Sequence, residues 1–311
     1  MGLSAVIDLG TNTFRLLVAE IHPNGFTTVF SQNQIARLGE GFSEEKSFRP
    51  QAMERAMGIL RAFKEILDRY TINPLTVVGT SAFREAKNRQ AFLLLIKERT
   101  GLDVEVIAGV EEARLTFLGA SLAFPNRVGP MVLIDIGGGS TEVIIAEGEA
   151  PSKMVSTPLG VVALTERHLR KTPTTNEACD ALKREVAMTL REVVPSSPQN
   201  AFFSGTAGTL TTLAAMDQQM VIYDPDKING YCLSKKAIEA ILHQLLPLSM
   251  EERCRLPGLE RGREDVILAG ILILITLMEL YHYDQVYVSD YGLREGVLMD
   301  RYRKSSFTPK N

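Results

Sequence analysis

The sequence predicts an α/β protein of two domains, and three observations carry that prediction. Strand-like apolar runs alternate with helix-like runs along most of the 311 residues, the pattern of an α/β layer fold. A glycine-rich strand–turn–strand unit, V-L-I-D-I-G-G-G-S-T-E-V-I-I-A, occupies Val132 to Ala146. A second copy stands at the start of the chain. A-V-I-D-L-G-T-N-T-F-R-L-L-V-A-E (Ala5 to Glu20) aligns without a gap on Val132 to Glu147, and Ile7, Asp8, Gly10, Ala19 and Glu20 recur as Ile134, Asp135, Gly137, Ala146 and Glu147. Repetition at domain spacing outweighs any single motif.

The elements follow in order. After the first hairpin, T-T-V-F-S-Q-N-Q-I-A-R-L-G-E-G continues as strands and a loop with two glycines. Gln51 to Tyr70 has helical spacing, with Met53, Met57, Leu60, Phe63 and Leu67 on one face. Leu75 to Gly79 reads as a short buried strand, Ala91 to Arg99 as a helix, Asp103 to Ile107 as a strand and Glu111 to Leu122 as a helix of small residues. Pro125 to Pro130 carries two prolines and a glycine, so the domain boundary is placed there, giving 1–125 and 126–311. Beyond the second hairpin, Pro158–Leu159–Gly160 turns into a helix over Val161 to Leu169. Thr175 and Asn176 cap the helix that follows, and Pro195 to Gln199 is a polar loop. Ala201 to Ala215 reads strand, glycine turn, helix. Val266 to Met278 is the most apolar run; it falls short of the roughly 20 residues that span a bilayer and is expected as a buried core helix. A last strand, Gln285 to Ser289, leads through Asp290–Tyr291–Gly292 into a helix, and the tail from Lys304 is expected to fray.

Composition narrows the function. A hydrophobic fraction of 45% and a charged fraction of 23% are those of an ordinary globular protein. A net charge of −3 argues against broad nucleic-acid binding, which needs a basic face. It still allows a small polyanion in a locally basic site. Three widely spaced cysteines are no disulfide framework, and four scattered histidines show no zinc-ligand spacing. The start M-G-L-S-A-V-I-D lacks a basic leader region. A reduced cytoplasmic compartment, with no membrane partner, is the expectation.

The residue chemistry points to phosphate. Glycines in a turn carry no side chain, so several backbone N–H groups can face one anion. In the second copy Gly137, Gly138 and Gly139 supply such a turn, Ser140 and Thr141 add hydroxyls, and Asp135 and Glu142 flank it with carboxylates. A plain hairpin would use the same glycines. In the first copy Arg15 stands where the second has Glu142, so Asp8 and Arg15 nearly neutralise each other while Asp135 and Glu142 do not. Like charges about 4 Å apart cost on the order of 4 kcal/mol near a protein surface, so a cation is expected beside the second turn.

Gly205–Thr206–Ala207–Gly208–Thr209 opens a helix, whose N-terminal N–H groups suit phosphate as well as they suit a tight connection. Thr80 and Ser81 are possible helix caps. Arg84 is either a solvated helix residue or a bidentate holder of a phosphoryl group. Glu111 and Glu112 lie in a helix's first turn, where the dipole favours them by about 0.3–1 kcal/mol each; one of them is alternatively placed to orient or deprotonate a water. The basic stretch Arg167, His168, Arg170 and Lys171 reads more simply as a solvated helix end than as a polyanion guide.

Seven segments carry a resemblance: D-L-G-T-N-T-F-R-L, G-T-S-A-F-R-E-A-K-N, G-V-E-E-A-R-L, D-I-G-G-G-S-T-E, S-G-T-A-G-T, L-P-G-L-E-R-G-R-E-D-V-I-L-A-G and S-D-Y-G-L-R-E-G-V-L. In wording and order the chain resembles the exopolyphosphatase / guanosine pentaphosphate phosphohydrolase (Ppx/GppA) family of the actin/sugar-kinase/heat-shock-ATPase superfamily. The resemblance implies two actin-like (ribonuclease H-like) domains facing across a cleft. It implies Mg²⁺-dependent hydrolysis of the terminal phosphate of inorganic polyphosphate, of the 5′ γ-phosphate of guanosine pentaphosphate, or of both, with a monovalent cation such as K⁺ an open second cofactor. Carried over by motif, Arg84 resembles the family's phosphate-holding arginine and Glu112 its catalytic glutamate, with Glu142 a further catalytic carboxylate. Asp135, Glu142 and Asp8 become candidate metal ligands. Asn12, Thr13 and Arg15, then Gly137, Gly138, Gly139 and Ser140, then Gly205, Thr206 and Gly208 become the phosphate turns. Longer members continue into an HD-type region, and this chain reads as the short form, a monomer or homodimer. Two rival readings stand beside hydrolysis: a superfamily kinase acting on a small molecule, and a non-catalytic nucleotide-binding or filament-forming protein.

Overall fold

The computed structural model describes residues 3–22, 25–148, 150–171, 173–194, 196–198 and 200–307. The chain divides into two units, Met1–Leu122 with Gly292–Asn311, and Ala123–Tyr291.

The first unit is built on strands β1 (Leu3–Leu9), β2 (Thr13–His22), β3 (Gly25–Ile35), β4 (Ile72–Gly79) and β5 (Val104–Val106). They lie in the order β3-β2-β1-β4-β5, with the first three antiparallel and β4 and β5 parallel to β1. β1 is buried on both faces, as a central strand beside a parallel partner should be. Side chains alternate across a strand, so Ala5, Ile7 and Leu9 pack to one side with Leu60, Phe63, Phe92 and Ile96. These come from helices α1 (Pro50–Leu67) and α3 (Arg89–Thr100), between which lies the short α2 (Ser81–Glu85). Val6, Leu17, Ala19, Ile21 and Val78 point to the other side, where Leu115, Leu293, Val297, Leu298 and Met299 cover them.

The second unit carries β6 (Met131–Ile136), β7 (Thr141–Ala146), β8 (Pro151–Thr157), β9 (Phe202–Thr206), β10 (Cys232–Ser234) and β11 (Gln285–Val288). Their order is β10-β11-β9-β6-β7-β8. Read inward from β8, the run β8-β7-β6-β9-β11 matches β3-β2-β1-β4-β5 strand for strand and direction for direction, with β10 added at the edge. Each unit is therefore one copy of the actin-like, ribonuclease H-like α/β arrangement that the repeated hairpin and the resemblance implied. The apolar run becomes helix Ile267–Tyr281, buried at every residue from Ile267 to Met278. No helix among the described residues is long and apolar enough to cross a membrane.

The C-terminal segment departs from the expected 126–311 domain. Helix Leu293–Phe307 belongs with the first unit. The reason is the uncovered face of the first sheet: Leu293, Val297, Leu298 and Met299 meet it together with Leu115. The helix crosses Gly109–Ala120 so closely that a Cβ on Gly296 would stand 1.7 Å from the Leu115 carbonyl oxygen, and one on Gly119 would stand 1.9 Å from that of Gly292. A sequence boundary drawn at prolines and glycines cannot register a chain that leaves a domain and returns.

Smaller differences lie at element ends. Thr175 caps the helix Asn176–Val193 by accepting from the Ala178 N–H at 3.3 Å, whereas Asn176 is already its first residue. The strand β10 and helix Lys235–Leu245 were not anticipated. Pro195 and Gln199 of the expected loop, and residues 308–311 of the tail, lie outside the described residues.

Candidate active site

Each unit gathers its candidate residues at the C-terminal ends of its parallel strands, where α/β folds place their ligands. In the first unit the turn after β1 is closed by the Gly10 N–H donating to the Thr13 carbonyl at 3.2 Å. The second unit repeats this with Gly137 N–H and the Ser140 carbonyl at 2.9 Å. The hairpin register then sets Asp8 opposite Arg15 and Asp135 opposite Glu142. One turn geometry thus presents two charge patterns, as the aligned copies implied.

Both turns have their carbonyls occupied from outside. In the first, Gly39 N–H donates to the Thr11 carbonyl at 2.8 Å, and Ala36 and Arg37 N–H groups share that of Asn12. In the second, Val161 and Val162, opening helix Val161–His168, donate to the carbonyls of Gly137 and Gly138 at 3.1 and 3.0 Å. The N–H groups of Thr11, Asn12, Gly138, Gly139 and Ser140 donate to no acceptor among the described residues. Hydrogen-bonding capacity left over in this sense is what an anion uses. The first turn adds two buried polar atoms without partners, Thr11 Oγ1 and Asn12 Nδ2, on residues only 6% and 5% exposed.

Asp8 is buried, and desolvation raises its pKa despite Arg15, whose guanidinium lies 3.0 Å away, and despite the nearby Arg294. Its Oδ1 has no partner. Arg84, on α2, donates to the Ile107 carbonyl at 3.2 Å and forms an ion pair with Glu112. Glu112 is 7% exposed and sits in the first turn of helix Gly109–Ala120. The two residues that the resemblance singled out, 28 positions apart, are thus in contact. Glu111 points elsewhere, to Arg114, which also holds Asp300.

In the second unit Glu142 is 1% exposed and accepts from Ser156 Oγ at 2.6 Å. Two carboxylates opposed on adjacent strands suit a hard divalent cation, which usually needs only one or two of them plus phosphate oxygens. Asp8 suits it less, because an arginine already offsets its charge. Among the described residues no three His, Cys, Asp or Glu side chains gather into a ready-made ligand cluster.

The third turn leads from β9 into helix Ala207–Asp217. Thr206 Oγ1 donates to the Tyr291 carbonyl at 2.8 Å, and Ser289 N–H donates to that of Gly205 at 2.9 Å. Ala207 takes φ of 69°. A Cβ on Gly208 would stand 2.0 Å from the guanidinium carbon of Arg263, so the glycine makes room for this 6%-exposed arginine. Within R-G-R-E-D, nothing in the sequence alone distinguishes Arg263 from its neighbour Arg261. The first unit has a matching place that sequence reading missed: Gly79–Thr80 leads out of β4 as Gly205–Thr206 leads out of β9, and the Ile107 N–H donates to the Gly79 carbonyl as that of Ser289 does to Gly205. The shared G-T dipeptide was the available signal. Arg167 and His168 of the basic stretch both pair with Glu185, the solvated-helix reading.

Comparison with known proteins supplies the family. The model of the Ppx/GppA phosphatase family matches residues 17–305. The chain belongs to the Ppx/GppA phosphatase family. It is similar to exopolyphosphatase 2 of Mycobacterium tuberculosis, at 31% identity over 95% of this chain and 97% of that one. It is also similar to the guanosine-5′-triphosphate,3′-diphosphate pyrophosphatase of Vibrio atlanticus, at 29% identity over 97% of this chain and 60% of that one. The crystal structure of the Aquifex aeolicus family member superposes with a TM-score of 0.83 at 32% identity, covering 99% of each chain. As a Ppx/GppA protein the chain is an enzyme, a phosphatase.

Proposed function

We propose that this phosphatase releases terminal orthophosphate from inorganic polyphosphate, and that guanosine pentaphosphate, at its 5′ γ-phosphate, is its second substrate. The observation that carries the reading is the buried Glu112 held by Arg84, beside a strand end whose turn has N–H groups to spare. Phosphoryl transfer asks chiefly for positioning and charge compensation. Arg84 holds the phosphoryl oxygens and, through its ion pair, keeps Glu112 oriented. Glu112 aligns a water in line with the bridging oxygen and takes its proton. Each glycine turn offers N–H donors to phosphate oxygens, and Arg263 adds a cation at the third. Asp135 and Glu142 would hold Mg²⁺, which when bound offsets charge on the phosphate oxygens. Polyphosphate ranks first because the exopolyphosphatase relative is spanned over 97% of its length and the guanosine-nucleotide relative over 60%. A cytoplasmic setting suits three cysteines that form no disulfide.

Phosphate release, compared on long-chain polyphosphate, guanosine pentaphosphate and ATP with Mg²⁺, tests this. Polyphosphate should be fastest, chelation should abolish turnover, and metal should restore it. Glu112→Gln should lower kcat by roughly 10²–10⁴-fold with little change in KM. Silence on all three substrates would return the chain to the kinase or scaffold readings, and a large KM effect with kcat intact would remove Glu112 from the chemistry.

A further inference from the structure

Arg253 is the largest fully buried side chain of the described residues, at 1% exposure. It ends the short helix Met250–Arg253, whose start is fixed by a capping box between Ser249 and Glu252. Its Nε donates to the Leu245 carbonyl at 3.2 Å, and one terminal nitrogen donates to the Glu264 carbonyl at 3.1 Å. The same nitrogen lies 3.8 Å from Met250 Sδ, and the other terminal nitrogen is buried with no partner. Among the described residues no carboxylate pairs with it. Burial accordingly pushes its pKa down. A buried charge held by carbonyls alone is a costly way to fill space, since apolar residues of similar volume commonly serve stability as well or better.

What the guanidinium holds is specific. It ties the end of helix Lys235–Leu245 to the main chain at Glu264. Arg263 precedes that carbonyl. Its own backbone is wound by Arg263 N–H to the Glu260 carbonyl at 3.1 Å, and its carbonyl accepts from Val266 and Ile267 N–H at 3.1 and 2.9 Å. Its side chain pairs with Glu260 and lies against Gly208. The segment that delivers a cation to the third glycine turn is therefore clamped one residue away from that cation.

We propose that Arg253 is a positioning residue for substrate binding, holding the main chain at Glu264 so that Arg263 stays seated against Gly208. This rests on the reading above that the third turn and Arg263 bind phosphate. The test compares wild type, Arg253→Met, Arg253→Lys, Arg263→Ala and the double variant Arg253→Met/Arg263→Ala. The readouts are KM and kcat on polyphosphate, calorimetric Kd for tripolyphosphate, and Tm. Arg263→Ala should raise KM and Kd. Arg253→Met should keep or raise Tm, raise KM and Kd roughly 5- to 30-fold, leave kcat within about threefold, and add nothing further in the Arg263→Ala background. Arg253→Lys should recover part of the loss and carries the same comparison if the methionine variant does not fold. An equal loss in both backgrounds, or lowered Tm with unchanged Kd, would overturn the positioning role. An Arg263→Ala that binds tripolyphosphate normally would instead remove the third turn from the binding reading.

Discussion

Ala207 holds a backbone conformation that suits glycine, at φ of 69°, in the turn that starts helix Ala207–Asp217. An L-residue there costs roughly 1–2 kcal/mol, and such strain gathers where backbone N–H groups must be aimed. Ala207→Gly should therefore raise unfolding free energy by up to about 1 kcal/mol, read from denaturant midpoints at constant slope. A lower midpoint would show that the strain is absent. No propensity reveals this alanine, since alanine in that position simply favours helix. The pairing of Asp8 with Arg15, and the opposition of Asp135 and Glu142, were legible, because a hairpin of fixed turn length leaves only one register. Arg84 with Glu112 was not, since the two follow different strands, and only the family resemblance joined them. Arg253 was invisible for a simpler reason: in a sequence, a buried arginine looks like an exposed one.

At the scale of elements, the repeated hairpin predicted more than its own two strands. The whole order β8-β7-β6-β9-β11 copies that of the first unit, although beyond the hairpins the matching segments share little more than a G-T dipeptide. What the pattern could not supply is the contact between elements. Gly160, read as part of a turn, lies under the second glycine turn, and a Cβ there would stand 2.3–2.4 Å from backbone atoms of Gly138 and Gly139. Backbone cannot step aside as a side-chain tip can. Gly160→Ala should therefore raise KM for polyphosphate by about tenfold or more and lower Tm, both in steady-state kinetics and a melt; unchanged KM would detach this turn from phosphate. Gly296→Ala should separate the two crossing helices and cost about 1–3 kcal/mol as overpacking does, with the loss measured by denaturant unfolding.

At the scale of the molecule, the last helix is fastened to the first unit by charge as well as by Leu293, Val297, Leu298 and Met299. Arg114 bridges Glu111 and Asp300, and Lys304 adds to Asp300 at 2.7 Å. Glu111 has its pKa lowered chiefly by the Arg114 hydrogen bonds. For Asp300 burial acts upward, but the bonds from Lys304 and Arg114 together bring it below its ordinary value. Both groups bind protons less readily folded than unfolded. Their contribution to stability is present above the ordinary values of 4.5 and 3.8 and drains away as pH falls below them. Arg114→Ala should destabilise at pH 7 and less so at about pH 3, followed by melts across that range; a penalty independent of pH would mean the bridge carries no linkage. The two-domain plan was legible in the duplicated hairpin, while the return of the chain was not, because nothing local marks Leu293–Phe307 as covering Val6 and Val78. That return has a consequence during synthesis. Residues 123–291 form one unit without interruption, whereas the unit that begins first lacks its closing helix until residues 293–307 are made. On the ribosome, the half that is translated second is the first to have all of its parts.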